Sequence, residues 1–186
     1  MYRPRPPLPP PSTPQEPLLR PWEPEDAPAV LAAFAAPEMD RQADRAVDSR
    51  AAADGWIARR AAEWAAGSAY ALAVVDARTG VPLGNVAVGA VDRTHSTGWV
   101  SYWTTPAARG RGIATYACGV LARWAFAELA LFRLELGHRT NNPASCRVAM
   151  AAGFTVEGLQ RRKLSYDGVR HDVELHARLA TDPECG

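Results

Sequence analysis

Arg109-Gly110-Arg111-Gly112-Ile113-Ala114 is the stretch on which the reading of this chain turns. Just before it, an apolar run ends near Thr105, and Pro106 has no N–H with which to continue a strand ladder. Just after it, Ile113, Ala117, Val120, Leu121 and Trp124 fall at helical spacing, which predicts a helix from Gly112 to Leu129. The first N–H groups of a helix have no partner inside it, and the helix dipole favours an anion there. Glycine at 110 and 112 lets the backbone come close to such an anion without a Cβ in the way. Arg109 and Arg111 add positive charge beside it. Strand, basic glycine loop and helix together make an anion site, although two glycines before a helix are also ordinary turn chemistry. The spacing is not that of a Walker P-loop, and it does not fit the GxGxxG dinucleotide fingerprint.

Upstream, the period is that of strands. Ala69–Asp76, Val81–Val91 and Gly98–Thr105 read as an antiparallel meander, with Tyr70, Leu72 and Val74 on one face of the first. Gly84 and Gly89 mark bulges or close backbone approach in the second. Earlier still, Leu18–Trp22 reads as a short strand. A helix over Val30, Leu31 and Phe34 follows it, with Asp26 in place to cap it. A second helix runs from Ser49 to Ala66 and stops at Gly67. Downstream, Phe132–His138 is a strand. Asn142 caps a helix with Pro143 at its first position, and Gly153 ends it. Phe154–Glu157 and Arg170–Leu179 are the last strands, joined by a hairpin around Asp167-Gly168.

The order is strand, two helices, three antiparallel strands, helix, strand, helix, two strands. It predicts one α/β domain of the α+β type, over residues 18–180. Residues 1–17 are rich in proline and are expected to form an extended or disordered tail, and 181–186 a short C-terminal tail. The 186 residues suffice for one core and are short for two. A net charge of +1 gives no ground for expecting nucleic acid or a polybasic membrane contact. No apolar run of about 18 residues suggests a membrane span. The N-terminus lacks the apolar stretch of a signal peptide. Cys118, Cys146 and Cys185 form neither a disulfide framework nor a CxxC metal pattern. A cytoplasmic protein without a metal is the expectation.

Arg109-x-x-Gly112-x-Ala114 resembles the (Gln/Arg)-x-x-Gly-x-(Gly/Ala) motif of the GNAT superfamily of N-acetyltransferases. Further motifs in the right order resemble its RimJ/RimL branch: Leu19-Arg20-Pro21-Trp22, Tyr102-Trp103, Asn142-x-x-Ser145, Gly153-Phe154, Glu157-Gly158 with Arg161, and Asp172. The similarity runs from about Leu18 to Leu179. It implies a central, mostly antiparallel, V-splayed sheet and acetyl-CoA as co-substrate. The pyrophosphate would lie on Arg109, Gly110, Arg111, Gly112, Ile113 and Ala114. The pantetheine arm would lie along Trp103, Thr104 and Thr105, with Asn142 bonded to it and Ser145 near the sulfur. A primary amine, on a protein N-terminus or a small molecule, would attack the thioester directly. The resemblance allows a homodimer.

Two positions depart from the branch. Trp99 and Ser101 stand where it often has an acidic residue and a glycine, and His176 replaces the tyrosine four residues after Asp172. Acid and base must then come from elsewhere in the chain. His138 is the candidate base, since an ordinary histidine titrates near neutrality, unless it is simply a hydrogen-bonded histidine at a strand end. Ser145 and His176 are candidate proton donors to the thiolate, with helix capping and strand packing as their alternatives. Glu135 should face the other side of the strand from His138, solvated or paired with an arginine. Cys146 could in principle carry an acyl group, but no Cys-His-Asp order supports that. Trp56 and Trp64 are expected in the core rather than in a substrate pocket. The lost acid and tyrosine also motivate a second reading, a non-catalytic acyl-CoA sensor on the same fold.

Overall fold

The computed structural model describes residues 8–10, 13, 16–42 and 45–183, the side chains of 40 and 41 excepted. A seven-stranded sheet in the order β1-β2-β3-β4-β5-β7-β6 forms the middle layer. Its strands are β1 (Leu18–Pro21), β2 (Tyr70–Val75), β3 (Pro82–Asp92), β4 (Thr97–Thr104), β5 (Arg133–Arg139), β6 (Thr155–Tyr166) and β7 (Val169–Leu179). Helices α1 (Ala27–Phe34) and α2 (Arg50–Ala66) cover one face; α3 (Ile113–Glu128) and α4 (Pro143–Ala151) cover the other. The element order is the expected one. Among the described residues, no helix is long and apolar enough to cross a membrane.

Alternation along β2 shows how the two layers are specified. Tyr70, Leu72 and Val74 enter the core under α3, and Ala71, Ala73 and Val75 enter the core under α1 and α2. On the α1–α2 side Trp56 meets Trp22 edge-on at 5.2 Å and Phe34 at 5.9 Å, and Trp103 stacks on Trp22 at 5.9 Å. Trp22 also donates to the buried Asn85 Oδ1 at 2.9 Å. Trp56 and Trp64 are both core residues, as expected.

Several ends follow the sequence closely. Ser49 Oγ accepts from Ala52 N–H to cap α2, and Gly67 closes it in the left-handed conformation. Asn142 Oδ1 accepts from Ser145 N–H to cap α4, with Pro143 at its first position. The Asp167-Gly168 turn has φ of 51° and 77°, as a two-residue hairpin loop requires.

Other features differ. Asp26 occupies the cap position of α1 without capping it. Its carboxylate is held by both terminal nitrogens of Arg20, at 2.6 and 2.8 Å, and accepts from Glu23 N–H. β6 runs to Tyr166, well past Glu157. The polar run Arg161-Arg162-Lys163 hides the strand, because two irregularities break its alternation; at the second, Arg162 adopts φ 51° and its N–H donates to Asp172. Most of the proline-rich segment lies outside the described residues, as does Cys185. Within it, Leu8 packs against the core, and Glu16 accepts from Tyr116 Oη at 3.2 Å.

Gly84 is where β3 must touch β4. A Cβ there would sit 2.3 Å from the Trp103 carbonyl oxygen and 3.0 Å from Thr104 Cα. Both are backbone atoms, so the strands themselves would have to part. Gly84→Ala is expected to cost about 1–3 kcal/mol in equilibrium urea unfolding; an unchanged midpoint would show that this strand pair can open without cost.

Candidate active site

β4 and β5 run parallel and pair only at their beginnings, Thr97–Trp99 against Arg133–Glu135. Beyond Trp99 they diverge, and their unpaired edges bound a cleft of about 890 Å³. Its walls are the later residues of β4 and β5, the glycine loop with the first turn of α3, the first turns of α4, and Glu38, Met39 and Gln42 from the turn after α1. A sheet that opens this way leaves backbone N–H and C=O groups without partners, and a ligand with amide groups can supply them.

The direction of those groups follows from β3. The Trp103 carbonyl is turned to Gly84, and Thr105 N–H donates to Leu83 at 2.8 Å. Strand alternation therefore points the backbone groups of Tyr102 and Thr104 into the gap. Of the three backbone positions expected along the arm, Thr104 faces the cleft, while Trp103 and Thr105 are bonded towards β3. The Tyr102 backbone faces the cleft as well, and the Trp103 side chain lines it. The Tyr102 hydroxyl donates to the Ser145 carbonyl at 3.3 Å, and burial pushes its pKa up to about 12, so it stays protonated.

At the cradle, Gly110 and Gly112 have φ of 72° and 74°, and Gly112 is the N-cap of α3. The first helical bond runs from Tyr116 N–H to the Gly112 carbonyl, which leaves the amides of Ile113, Ala114 and Thr115 with no intrahelical partner. Arg109, Gly110, Gly112, Ile113 and Ala114 line the cleft; Arg111 is exposed outside it. Arg109 is paired with Glu38 at 2.8 Å. Among the described side chains lining the cleft, Glu38 is the only carboxylate.

Asn142 and Ser145 both face the cleft, and the Asn142 amide donates to Ser145 Oγ at 3.0 Å. His138 also reaches it, but both of its ring nitrogens are engaged elsewhere. Nδ1 bonds the Arg139 carbonyl at 3.0 Å, and Nε2 lies 2.9 Å from Nε2 of His176. His176 is 1% exposed and lies behind His138, off the cleft wall. Glu135 is on the opposite side of β5 and is paired with Arg133 at 2.7 Å. Sequence reasoning missed Glu174, whose carboxylate lies 3.1 Å from His176 and 3.3 Å from Cys146 Sγ. Its hydrogen bond with Cys146, then His176, holds its pKa below the usual carboxylate value. Only the β5–β7 register, which sets His138 against Glu174 and Leu136 against His176, brings these groups together.

A sheet opened between two parallel strands, ending on a glycine-bounded helix N-terminus, defines a class. Residues 18–155 match the acetyltransferase (GNAT) domain family, and the chain belongs to it. It is 38% identical over 88 residues to the probable N-acetyltransferase YjcK of Bacillus subtilis (strain 168), covering 47% of this chain and 49% of that protein. It is 27% identical over 97 residues to the ribosomal-protein-serine acetyltransferase of Escherichia coli (strain K12), covering 52% of this chain and 54% of that protein. The match spans about half the length of these curated relatives. Among solved structures, Mycobacterium smegmatis RimJ in complex with CoA-disulfide superposes with a TM-score of 0.77 at 25% identity, covering 87% of this chain and 81% of that one.

Proposed function

We propose that this protein transfers an acetyl group from acetyl-CoA to a primary amine by direct attack in a ternary complex. The observation that carries the reading is the β4–β5 opening, which leads onto the free amides at the start of α3. In this reading Arg109 to Ala114 hold the pyrophosphate, with Arg111 contributing charge from outside the cleft. The arm pairs with the exposed backbone of Tyr102 and Thr104, and Asn142 hydrogen-bonds it. An amide there polarises the thioester carbonyl. Ser145 Oγ donates to the departing thiolate. His138 forms the wall beside the thioester and His176 backs it.

No described side chain offers the amine a free base, since the two histidines are engaged and Glu38 is paired with Arg109. The amine therefore arrives as its free base and gives its proton to solvent. That suits an α-amine, which ionises near about 8, better than a lysine-like amine near about 10.4. A polyamine would call for several unpaired carboxylates. The favoured acceptor is the N-terminus of a protein or peptide, in the cytoplasm.

The test is acceptor-dependent release of CoA thiol, measured with peptides of free N-terminus, with the same peptides blocked there, and with small polyamines. Turnover with the free peptides is expected. Its kcat/KM should rise with pH up to the pKa of the acceptor's own amine, and Ser145→Ala should lower kcat about tenfold with KM little changed. Tight acetyl-CoA binding without turnover on any acceptor would favour the sensor reading instead.

A further inference from the structure

Four side chains that the proposed reaction uses neither as acid nor as base converge on one point between α4 and the sheet. They are His138 on β5, Glu174 and His176 on β7, and Cys146 on α4. Their Nε2, Oε1, Nε2 and Sγ atoms all lie within 4.8 Å of one another. The two imidazole nitrogens are 2.9 Å apart, and Glu174 Oε1 is 3.3 Å from both His138 Nε2 and Cys146 Sγ. We infer that this cluster is a binding site for a divalent transition-metal ion of the zinc class, with His138, Cys146, Glu174 and His176 as its ligands.

The donor set is the first ground. Two imidazoles, a thiol and a carboxylate are a borderline-soft set suited to zinc and poorly suited to calcium or magnesium. A tetrahedral zinc complex with ordinary bond lengths has donor–donor edges of about 3.3–3.8 Å. The separations here run from 2.9 Å to no more than 4.8 Å, within reach of that range by side-chain adjustment.

The second ground is a proton count. His138 Nδ1 faces a carbonyl, to which it can only donate. In the neutral ring, Nε2 then carries a lone pair, the state in which histidine ligates a metal. A backbone carbonyl on the far nitrogen is also the usual support of a metal-bound histidine. That lone pair points at the His176 nitrogen and at the Glu174 carboxylate. His176 Nε2 lies within hydrogen-bond reach of both His138 Nε2 and Glu174, and the Cys146 thiol also donates to Glu174. A cation at the centre takes up the His138 lone pair and the Glu174 carboxylate, and it takes the Cys146 sulfur once that thiol has released its proton to solvent.

Access and consequence follow from position. Both histidines are buried, while the Glu174 side chain is 30% exposed and Cys146 is partly exposed, so an ion can enter from the solvent side of α4. Of α4's own residues only Ala149 is buried. A bound ion would tie this loosely held helix to β5 and β7, and with it Asn142 and Ser145, which neighbour Cys146 and face the cleft. The ion's role is structural, and the site stands whether or not the acetyl-transfer reading does.

The test uses the full chain, stripped with chelator and titrated with Co(II), then with Zn(II) in competition. Expected are one cobalt per chain, the visible bands of a tetrahedral complex with a thiolate-to-cobalt charge-transfer band, displacement by zinc, and a higher melting temperature with zinc. Cys146→Ser, at a partly exposed position, should fold, lose the charge-transfer band and bind at least tenfold more weakly; His176→Asn should abolish the site. No stoichiometric binding by the wild type, or a Cys146→Ser variant that binds and absorbs as the wild type does, would overturn the inference. Should His176→Asn fail to fold, the Cys146 variant and the wild-type stoichiometry still decide it.

Discussion

Gly112→Val is expected to weaken CoA binding about 100-fold or more, while costing about 1–2 kcal/mol in stability. A 100-fold loss corresponds to about 2.7 kcal/mol. The separation of the two effects comes from where Gly112 sits. A Cβ added there meets nothing within 4 Å, so the folded chain has room for it. Its φ of 74° costs a β-branched residue about 1–2 kcal/mol of strain. In the proposed complex the pyrophosphate must come within hydrogen-bond reach of the amides of Ile113, Ala114 and Thr115, which directly follow Gly112, and a side chain at 112 competes for that approach. Isothermal titration with CoA, alongside a melting curve, separates the two. Unchanged affinity in a folded variant would mean that the helix N-terminus is not where the phosphates bind.

Trp56→Ala should be the most destabilising single change, costing about 3–5 kcal/mol. Trp56 is 2% exposed and touches Trp22, Phe34 and Trp103, with the Arg60 guanidinium 5.2 Å over its ring. No neighbour can collapse into so large a void without disturbing the others. Trp103 is both a member of this cluster and a residue of β4, so the loss should also loosen the strand that borders the cleft. Equilibrium urea unfolding measures it; a loss below about 1 kcal/mol would show that the cluster repacks.

These two positions also show what could be read beforehand. Gly112 announced itself, because a left-handed residue ahead of a helix has a local signature. The same holds for the caps at Ser49 and Asn142 and for the Asp167-Gly168 turn. Period alone was enough to place β2 to β5 and α3. What escaped was whatever depends on partners distant in sequence. Asp26 looks like a helix cap until Arg20 is placed beside it. The extent of β6 is hidden by irregularities that only its pairing with β7 defines. That the Trp103 and Thr105 backbones are bonded towards β3 follows only from the β3 register. His138 and His176 looked like two separate proton carriers; the β5–β7 register makes them neighbours, joined by a glutamate and a cysteine that no local motif connects.

The Arg109–Glu38 pair carries one further implication. Arg109 is already paired with an anion, the Glu38 carboxylate from the turn after α1. In the proposed reaction the cofactor therefore enters as a competitor, and its phosphates must evict Glu38 from Arg109. Met39 and Gln42, which stand in the same turn, are part of the cleft wall. The ion pair that the phosphates must break is thus also a contact of one cleft wall.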